Sequence, residues 1–233
     1  MQKKQKNVIF SAFCVLASLA AVLINGFVFE NKYYYPVCVA VIVLSLCTYY
    51  SEIERKNRKV QETVITASLT AVAVASRAVF CFAPQVKPVC AVVVICSVCV
   101  GGECGFLIGS LSMFLSNFIF GQGSWTPFQM LGMGLAGLIC GLVLKNSELK
   151  NSRLFQALFA GTVCFVVYGL TVDINSVLFL AGELKLKNII TVLAGGIPFN
   201  LIHAVTTFII VFIAGKPTEN ALNRVLKKYG MFI

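Results

Sequence analysis

Charge is what this sequence has least of. Charged residues make up 12% of the chain and hydrophobic ones 58%, whereas a soluble domain carries about a quarter charged residues to solvate its surface. That shortage excludes an ordinary water-soluble globule. The few charges sit in short stretches between long apolar runs, the pattern of helices dissolved in lipid. Only helices or a closed barrel satisfy their backbone in hydrocarbon. Runs of about 15 to 25 residues, rather than about ten with strict alternation, select helices.

Other absences narrow the chemistry. No Gly-x-x-x-x-Gly-Lys-Ser/Thr phosphate loop occurs, so the chain has no evident means of hydrolysing ATP. A single histidine and no His-Glu-x-x-His argue against a zinc hydrolase. The nine acidic residues are expected at span ends or in connections, so the acid at depth that proton- or sodium-coupled carriers use is missing. Active transport would then be energised from outside this polypeptide. Ten cysteines include Cys96, Cys99 and Cys104, but no second Cys-x-x-Cys completes a ligand set, and cysteine in a membrane helix commonly packs as a small apolar residue. No metal site and no cofactor are expected. Cys81 and Cys90 flank one loop, and sequence leaves open whether they are bonded.

Eight spans are expected, roughly 8–29, 34–50, 63–82, 88–101, 104–120, 126–144, 154–172 and 189–214. The fourth and fifth are separated only by a tight Gly101–Gly105 turn. The first is too long for a signal-peptide core and has no cleavage site before Glu30, so it reads as a retained anchor. Residues 173–188 are read as a loop or short interfacial helix capping the bundle.

The net charge of +10 does not mark a nucleic-acid partner, because of where it falls. With the N-terminus inside, one face receives Lys3, Lys4, Lys6, Arg55, Lys56, Arg58, Lys59, Lys145, Lys150, Arg153, Lys216, Arg224, Lys227 and Lys228. The other receives Lys32, Lys87, Lys185 and Lys187. By the positive-inside rule this is a multi-pass cell-membrane protein with both termini cytoplasmic. Tyr33, Tyr34 and Tyr35 suit an aromatic belt at the opposite interface. The chain divides into a two-helix hairpin (1–50), a basic cytoplasmic linker (51–62), a six-helix block (63–215) and a cytoplasmic tail (216–233).

Polar residues at depth concentrate in the outer half of the six-helix block. Arg77 lies about two-thirds of the way across its span at about 1.5 Å per residue. An arginine there costs about 2.5–3.5 kcal/mol on insertion scales and should face the bundle interior or a wet cavity, the alternative being that it snorkels to the outer interface. Lys87 follows in the loop Ala83-Pro84-Gln85-Val86-Lys87-Pro88, which its prolines stiffen. The densest signal is the stretch from Ser116 to Met130, with Asn117, Gln122, Trp125, Thr126 and Gln129 around a Gly121–Gly123 turn. Thr126-Pro127 offers a helix cap and first-turn proline, and Trp125 and Gln129 share a helix face. Asn200 and His203, three apart, project together from the last span. These nine residues would bound a pocket. Ala67, Ala71 and Ala75 recur every four residues, leaving a smooth strip that suits either an internal helix contact or a partner.

The block from about 62 to 215 resembles the substrate-binding S components of energy-coupling factor (ECF) vitamin transporters. The residues that carry the likeness are the alanine strip, Pro84-Gln85-x-Lys87-Pro88, and Gly121-Gln122-Gly123-Ser124-Trp125-Thr126-Pro127-Phe128-Gln129-Met130. The last stretch looks like a subgroup associated with cobalamin uptake. The resemblance implies an all-α polytopic membrane bundle, a six-helix core preceded here by a two-helix hairpin. It also implies a non-enzymatic subunit that captures a vitamin at the outer face and docks through Ala67, Ala71 and Ala75 on a membrane T component driven by two cytoplasmic ATPase subunits. The 81–88 and 121–129 segments would close over the vitamin, with 173–188 as a further lid. The alternative is an integral-membrane enzyme acting on a lipid, with Arg77 and His203 recruited to a head group or a proton.

Overall fold

The computed structural model describes residues 2–30, 32–56, 60–83, 86–180 and 186–232. Arg58 and Lys59 of the linker, Pro84 and Gln85 of the loop motif, and Lys185 lie outside the described residues. The described chain is a helical bundle: α1 (Gln2–Phe27), α2 (Tyr34–Lys56), α3 (Val60–Val79), α4 (Val89–Val100), α5 (Gly102–Phe120), α6 (Thr126–Leu144), α7 (Arg153–Val163), α8 (Leu170–Leu180), α9 (Leu186–Ile210) and α10 (Lys216–Lys228). A π-helical segment, Cys164–Gly169, joins α7 to α8, and another, Val211–Gly215, joins α9 to α10, so the backbone stays helical through each pair. Seven of these runs are long and apolar enough to cross a membrane, and α4 is a shorter apolar helix. The expected all-α polytopic membrane bundle is what forms.

Each run turns back on the last, so α1 begins and α10 ends at the same end of the bundle. That end holds Lys145, Lys150, Lys216 and Lys227 and is called the basic end here. Asn7 and Ser51 bond each other's backbone there, Ser51 Oγ donating to the Asn7 carbonyl at 2.9 Å, and Ser18, Ser45 and Thr48 are buried along the hairpin. The Phe232 amide donates to Glu62 at 2.9 Å, which ties the C-terminus to the start of α3.

α4 has 12 residues, of which only Val92 is not buried. At about 1.5 Å per residue it is some 18 Å long, well short of a hydrocarbon core of about 30 Å. It sits inside the bundle, contacting α3, α5, α6 and α10. α5 and α6 pack backbone against backbone, and glycine is the reason. A Cβ on Gly137 would come within 2.7 Å of the Gly105 backbone, and one on Gly141 within 2.6 Å of Gly102. Gly105–Gly109 and Gly137–Gly141 are spaced four apart, the small-residue pattern that lets membrane helices touch backbone to backbone. The α1–α2 hairpin packs on α5 and α6.

Three expectations change. The break between the fourth and fifth spans is Gly101 alone, at φ 114°, and Gly102 already begins α5. The seventh span does not end at 172 but runs on to Leu180. The polarity read as its end, Asp173, Asn175 and Ser176, belongs to a helix in which Asp173 and Asn175 are buried. Only residues 181–185, outside the described residues, separate it from α9. Residues 216–233, read as a tail, are mostly the helix α10, which buries Glu219 and Leu226, followed by buried Met231.

Gly137→Val would drive a side chain into the α5 backbone, and overpacking of this kind costs about 1–3 kcal/mol. The expected result is a melting temperature lower by several degrees in detergent. Gly195→Ala, where nothing lies within 4 Å of the added carbon, should leave the melting temperature unchanged or slightly raised.

Candidate functional site

At the end of the bundle opposite the basic end lies a cavity of about 520 Å³ bounded by α3, α6, α8 and α9. α3 has two unlike faces. Thr66, Thr70, Ala73 and Arg77 are buried, while Ala67, Ala71 and Ala75 are exposed. The alanine strip is therefore an outward face rather than an internal contact among the described residues.

Arg77 is 8% exposed. Its Nη1 donates to Ser116 Oγ at 2.5 Å and to Asn117 Oδ1 at 2.7 Å, and its guanidinium lies 4.6 Å from the centre of the Phe120 ring. Asn117 passes the connection on, donating from Nδ2 to Thr126 Oγ1 at 3.0 Å and to Gln129 Oε1 at 2.9 Å. One side chain on α5 thus ties the arginine of α3 to the first turn of α6. Thr126 does not cap α6 as expected; it is the first helical residue, and its hydroxyl accepts the Gly123 amide at 3.2 Å, closing the turn.

Lys87 donates to the Phe80 carbonyl at 2.6 Å, capping the end of α3, and stands 5.1 Å from the Phe120 ring centre. Partial burial, and then the neighbouring charge of Arg77, hold its ammonium below the usual lysine range.

The facing wall comes from α8, α9 and the π-helical segment. Asn200 donates to Asp173 at 2.6 Å. Both fit because glycines stand opposite them: a Cβ on Gly196 would meet the Asp173 carboxyl carbon at 2.9 Å, and one on Gly169 the Asn200 amide carbon at 2.8 Å. Pro198 has no amide to give the helix ladder of α9, so this stretch of α9 is also locally weakened. The π-helical segment carries Tyr168, whose ring meets His203 edge-on at 5.1 Å. Wide turns of this kind are frequent at functional sites. His203 Nε2 is buried without a hydrogen-bond partner.

Of the residues singled out from sequence, Arg77, Lys87, Gln129, Asn200 and His203 line this cavity together. Asn117 and Thr126 stand behind them and position Arg77 and Gln129. Gln122 and Trp125 are not in the lining. Gln122 bonds the Phe114 carbonyl, and the Trp125 ring lies over Gly123, where a Cβ would come within 2.6 Å of it. Asp173, Tyr168, Ser176 and Thr191 line the cavity and were missed. Asp173 was hidden by being read as a loop residue. Cys81 and Cys90 are both free thiols, and no cluster able to hold a metal ion exists among the described residues.

Asn117→Leu removes an acceptor from a buried cation, a loss of about 2 kcal/mol. The expected outcome is a clear drop in melting temperature, larger than that of Gln122→Leu. Adding Arg77→Met to Asn117→Leu should recover part of the drop, because no unpaired charge is then left buried.

Comparison with known proteins bears on the whole bundle. No solved structure matches. A UPF0397 protein of Vibrio atlanticus (strain LGP32) is 29% identical over 147 residues, covering 59% of this chain and 78% of that protein. The family model described as "ECF-type riboflavin transporter, S component" matches residues 57–228, from just after α2 to the end of α10. The match takes in every residue of the cavity and leaves the α1–α2 hairpin outside, and on its extent the chain belongs to the family of ECF-type riboflavin transporter S components.

Proposed function

We propose that the protein is the substrate-specific subunit of an ECF-type importer, capturing a vitamin-sized molecule in the Arg77–His203 cavity for uptake driven by partner subunits. The observation that carries this reading is the cavity itself, part-enclosed, lined by charged and polar side chains among apolar ones, and at the end of the bundle opposite the basic end. The positive-inside rule places the basic end in the cytoplasm and the cavity at the outer face, with both termini inside. A capture site belongs there.

S components of this family work with a membrane T component and ATPase subunits. The exposed Ala67, Ala71 and Ala75 are the docking face for the T component in this reading. Nothing larger than a methyl group stands on that strip, so a partner helix can approach closely. The enzyme alternative finds less support, because the family is one of transporter components.

The vitamin is a matter of size and chemistry. The stretch from Gly121 to Met130 resembles a cobalamin-associated subgroup, and cobalamin remains a test ligand. A cavity of about 520 Å³ lies within the range of about 300–1,000 Å³ that holds one drug-sized molecule. A corrinoid is much larger than that, so a single heterocycle such as a flavin is the better match.

Purified protein in detergent, heated with a panel of vitamins that includes riboflavin and cobalamin, should be stabilised by several degrees by one of them. A panel in which no member shifts the melting temperature would sink the capture reading for those vitamins. Ala71→Leu combined with Ala75→Leu should abolish vitamin uptake in cells that supply the T component and ATPases, while binding by the purified variant stays intact. Loss of binding instead would show that the strip supports the cavity rather than a partner.

A further inference from the structure

At the basic end, lysines from three separate segments converge on a second cavity, of about 400 Å³. Lys145 follows the last residue of α6, Lys150 belongs to the short 3-10 turn Glu148–Asn151, and Lys216 and Lys227 stand at the two ends of α10. Lys216, Asn220, Asn223 and Lys227 recur every three or four residues, so α10 turns one polar face to the cavity. Behind that face Val98, Leu226 and Met231 are buried and give the cavity an apolar wall.

The lining is rich in one sign of charge. Glu219 is its one carboxylate among the described residues, and it is already engaged: Lys216 Nζ donates to it at 3.0 Å, and Gln156 donates to its other oxygen. Two of the remaining ammoniums are held in place by helix ends. Lys145 donates to the Val100 carbonyl at 3.1 Å, at the end of α4, and Lys150 to the Lys145 carbonyl at 2.7 Å, at the end of α6. An ammonium has three N–H groups, so the cap leaves Lys150 with donors to offer. Lys227 is exposed and has no carboxylate partner among the described residues.

We propose that this cavity is a binding site for a phosphate group, carried either by an anionic phospholipid of the leaflet at that end or by a soluble phosphate ester. The positive-inside rule accounts for lysines in the loops here, but it asks only that they lie on one side of the membrane. It does not ask them to share a cavity, where like charges repel one another. A cleft of one sign with apolar walls concentrates its field on a counter-ion. The chemistry of the donors selects phosphate. All the cations in the lining are lysines, which hold phosphate as point charges, and no arginine supplies the flat two-pronged grip that suits a carboxylate. Asn220 and Asn223 add amide donors for further oxygens. Basic pockets between membrane helices on the cytoplasmic side bind lipid headgroups in this way. The site lies at the other end of the bundle from the Arg77–His203 cavity and does not depend on vitamin capture.

The test uses the full-length protein in detergent and follows its melting temperature as ligand is titrated. The probes are phosphatidylglycerol and phosphatidylcholine in mixed micelles, and glycerol phosphate without lipid. Phosphatidylglycerol or glycerol phosphate is expected to raise the melting temperature by several degrees, and phosphatidylcholine, whose phosphate carries its own cation, is not. A response to the lipid alone assigns the site to a headgroup, and a response to glycerol phosphate assigns it to a soluble ester. Lys150→Gln combined with Lys227→Gln should weaken the apparent affinity at least ten-fold. Arg224→Gln combined with Lys228→Gln removes the same charge from α10 outside the cavity lining and should change it less than two-fold. The melting temperature of each variant without ligand shows that it is folded. Equal weakening by the two pairs overturns the site in favour of diffuse surface charge. So does equal stabilisation by phosphatidylcholine, or no response to any of the three probes.

Discussion

A guanidinium inside a membrane bundle is the constraint around which the outer half of this protein is arranged. Arg77 cannot face lipid, and among the described residues it has no counter-ion to neutralise it. Ser116, Asn117 and Phe120 take up that role with two hydrogen bonds and a ring face. All three lie in the last turns of α5, so α3 is held against α5 at a defined depth. Asn117 has one amide, and using its oxygen for the arginine leaves its nitrogen for Thr126 and Gln129. The orientation of α6's first turn follows from the same side chain. A neutral residue at 77 would free α3, α5 and α6 to choose their own registers at this end.

The opposite problem, holding apolar helices together in lipid, is solved by contact rather than charge. Lipid tails are as apolar as leucine, so side-chain burial alone gives helices little reason to associate there. Close backbone approach does, and Gly102, Gly105, Gly109, Gly134, Gly137 and Gly141 allow it between α5 and α6. That rigid pair supports the hairpin on one side and α3 and α4 on the other. The cavity opens where the glycine contact ends, between α6 and the π-helical and proline-weakened rods.

The sequence read well where residue type has one physical meaning in lipid. A run of apolar residues has to be a helix, and an arginine among them is expected to face inward, so the eight apolar helical runs and the placement of Arg77 were legible. Asn200 and His203 were legible for the same reason, being three apart on a helix. Asp173 was not, because an acid near the end of an apolar run looks the same whether the helix stops or whether it continues past a wet cavity. The glycines of α5 and α6 were present in the sequence, but their pairing is a property of two helices and not of either alone. Trp125 stands outside the cavity lining: a lone tryptophan beside a turn suits a ligand clamp and an interfacial ring equally, and here its ring covers Gly123.

The position of the hairpin bears on which faces of the bundle stay open to a partner. α1 and α2 pack on α5 and α6, whereas the alanine strip is on the outward face of α3 and is exposed. Added helices that covered the strip would have to leave before any partner could dock. Helices stacked behind α5 and α6 do not, and the contact of Tyr49 with Thr63 and Thr66 reaches only the first turns of α3, at the basic end. α3 then presents Arg77 to the cavity on one face and the exposed strip on the other, with about half a turn of helix between them. Whatever seats a ligand against Arg77 acts on the same rigid element that a docked partner would hold, and the hairpin is placed so as not to interfere.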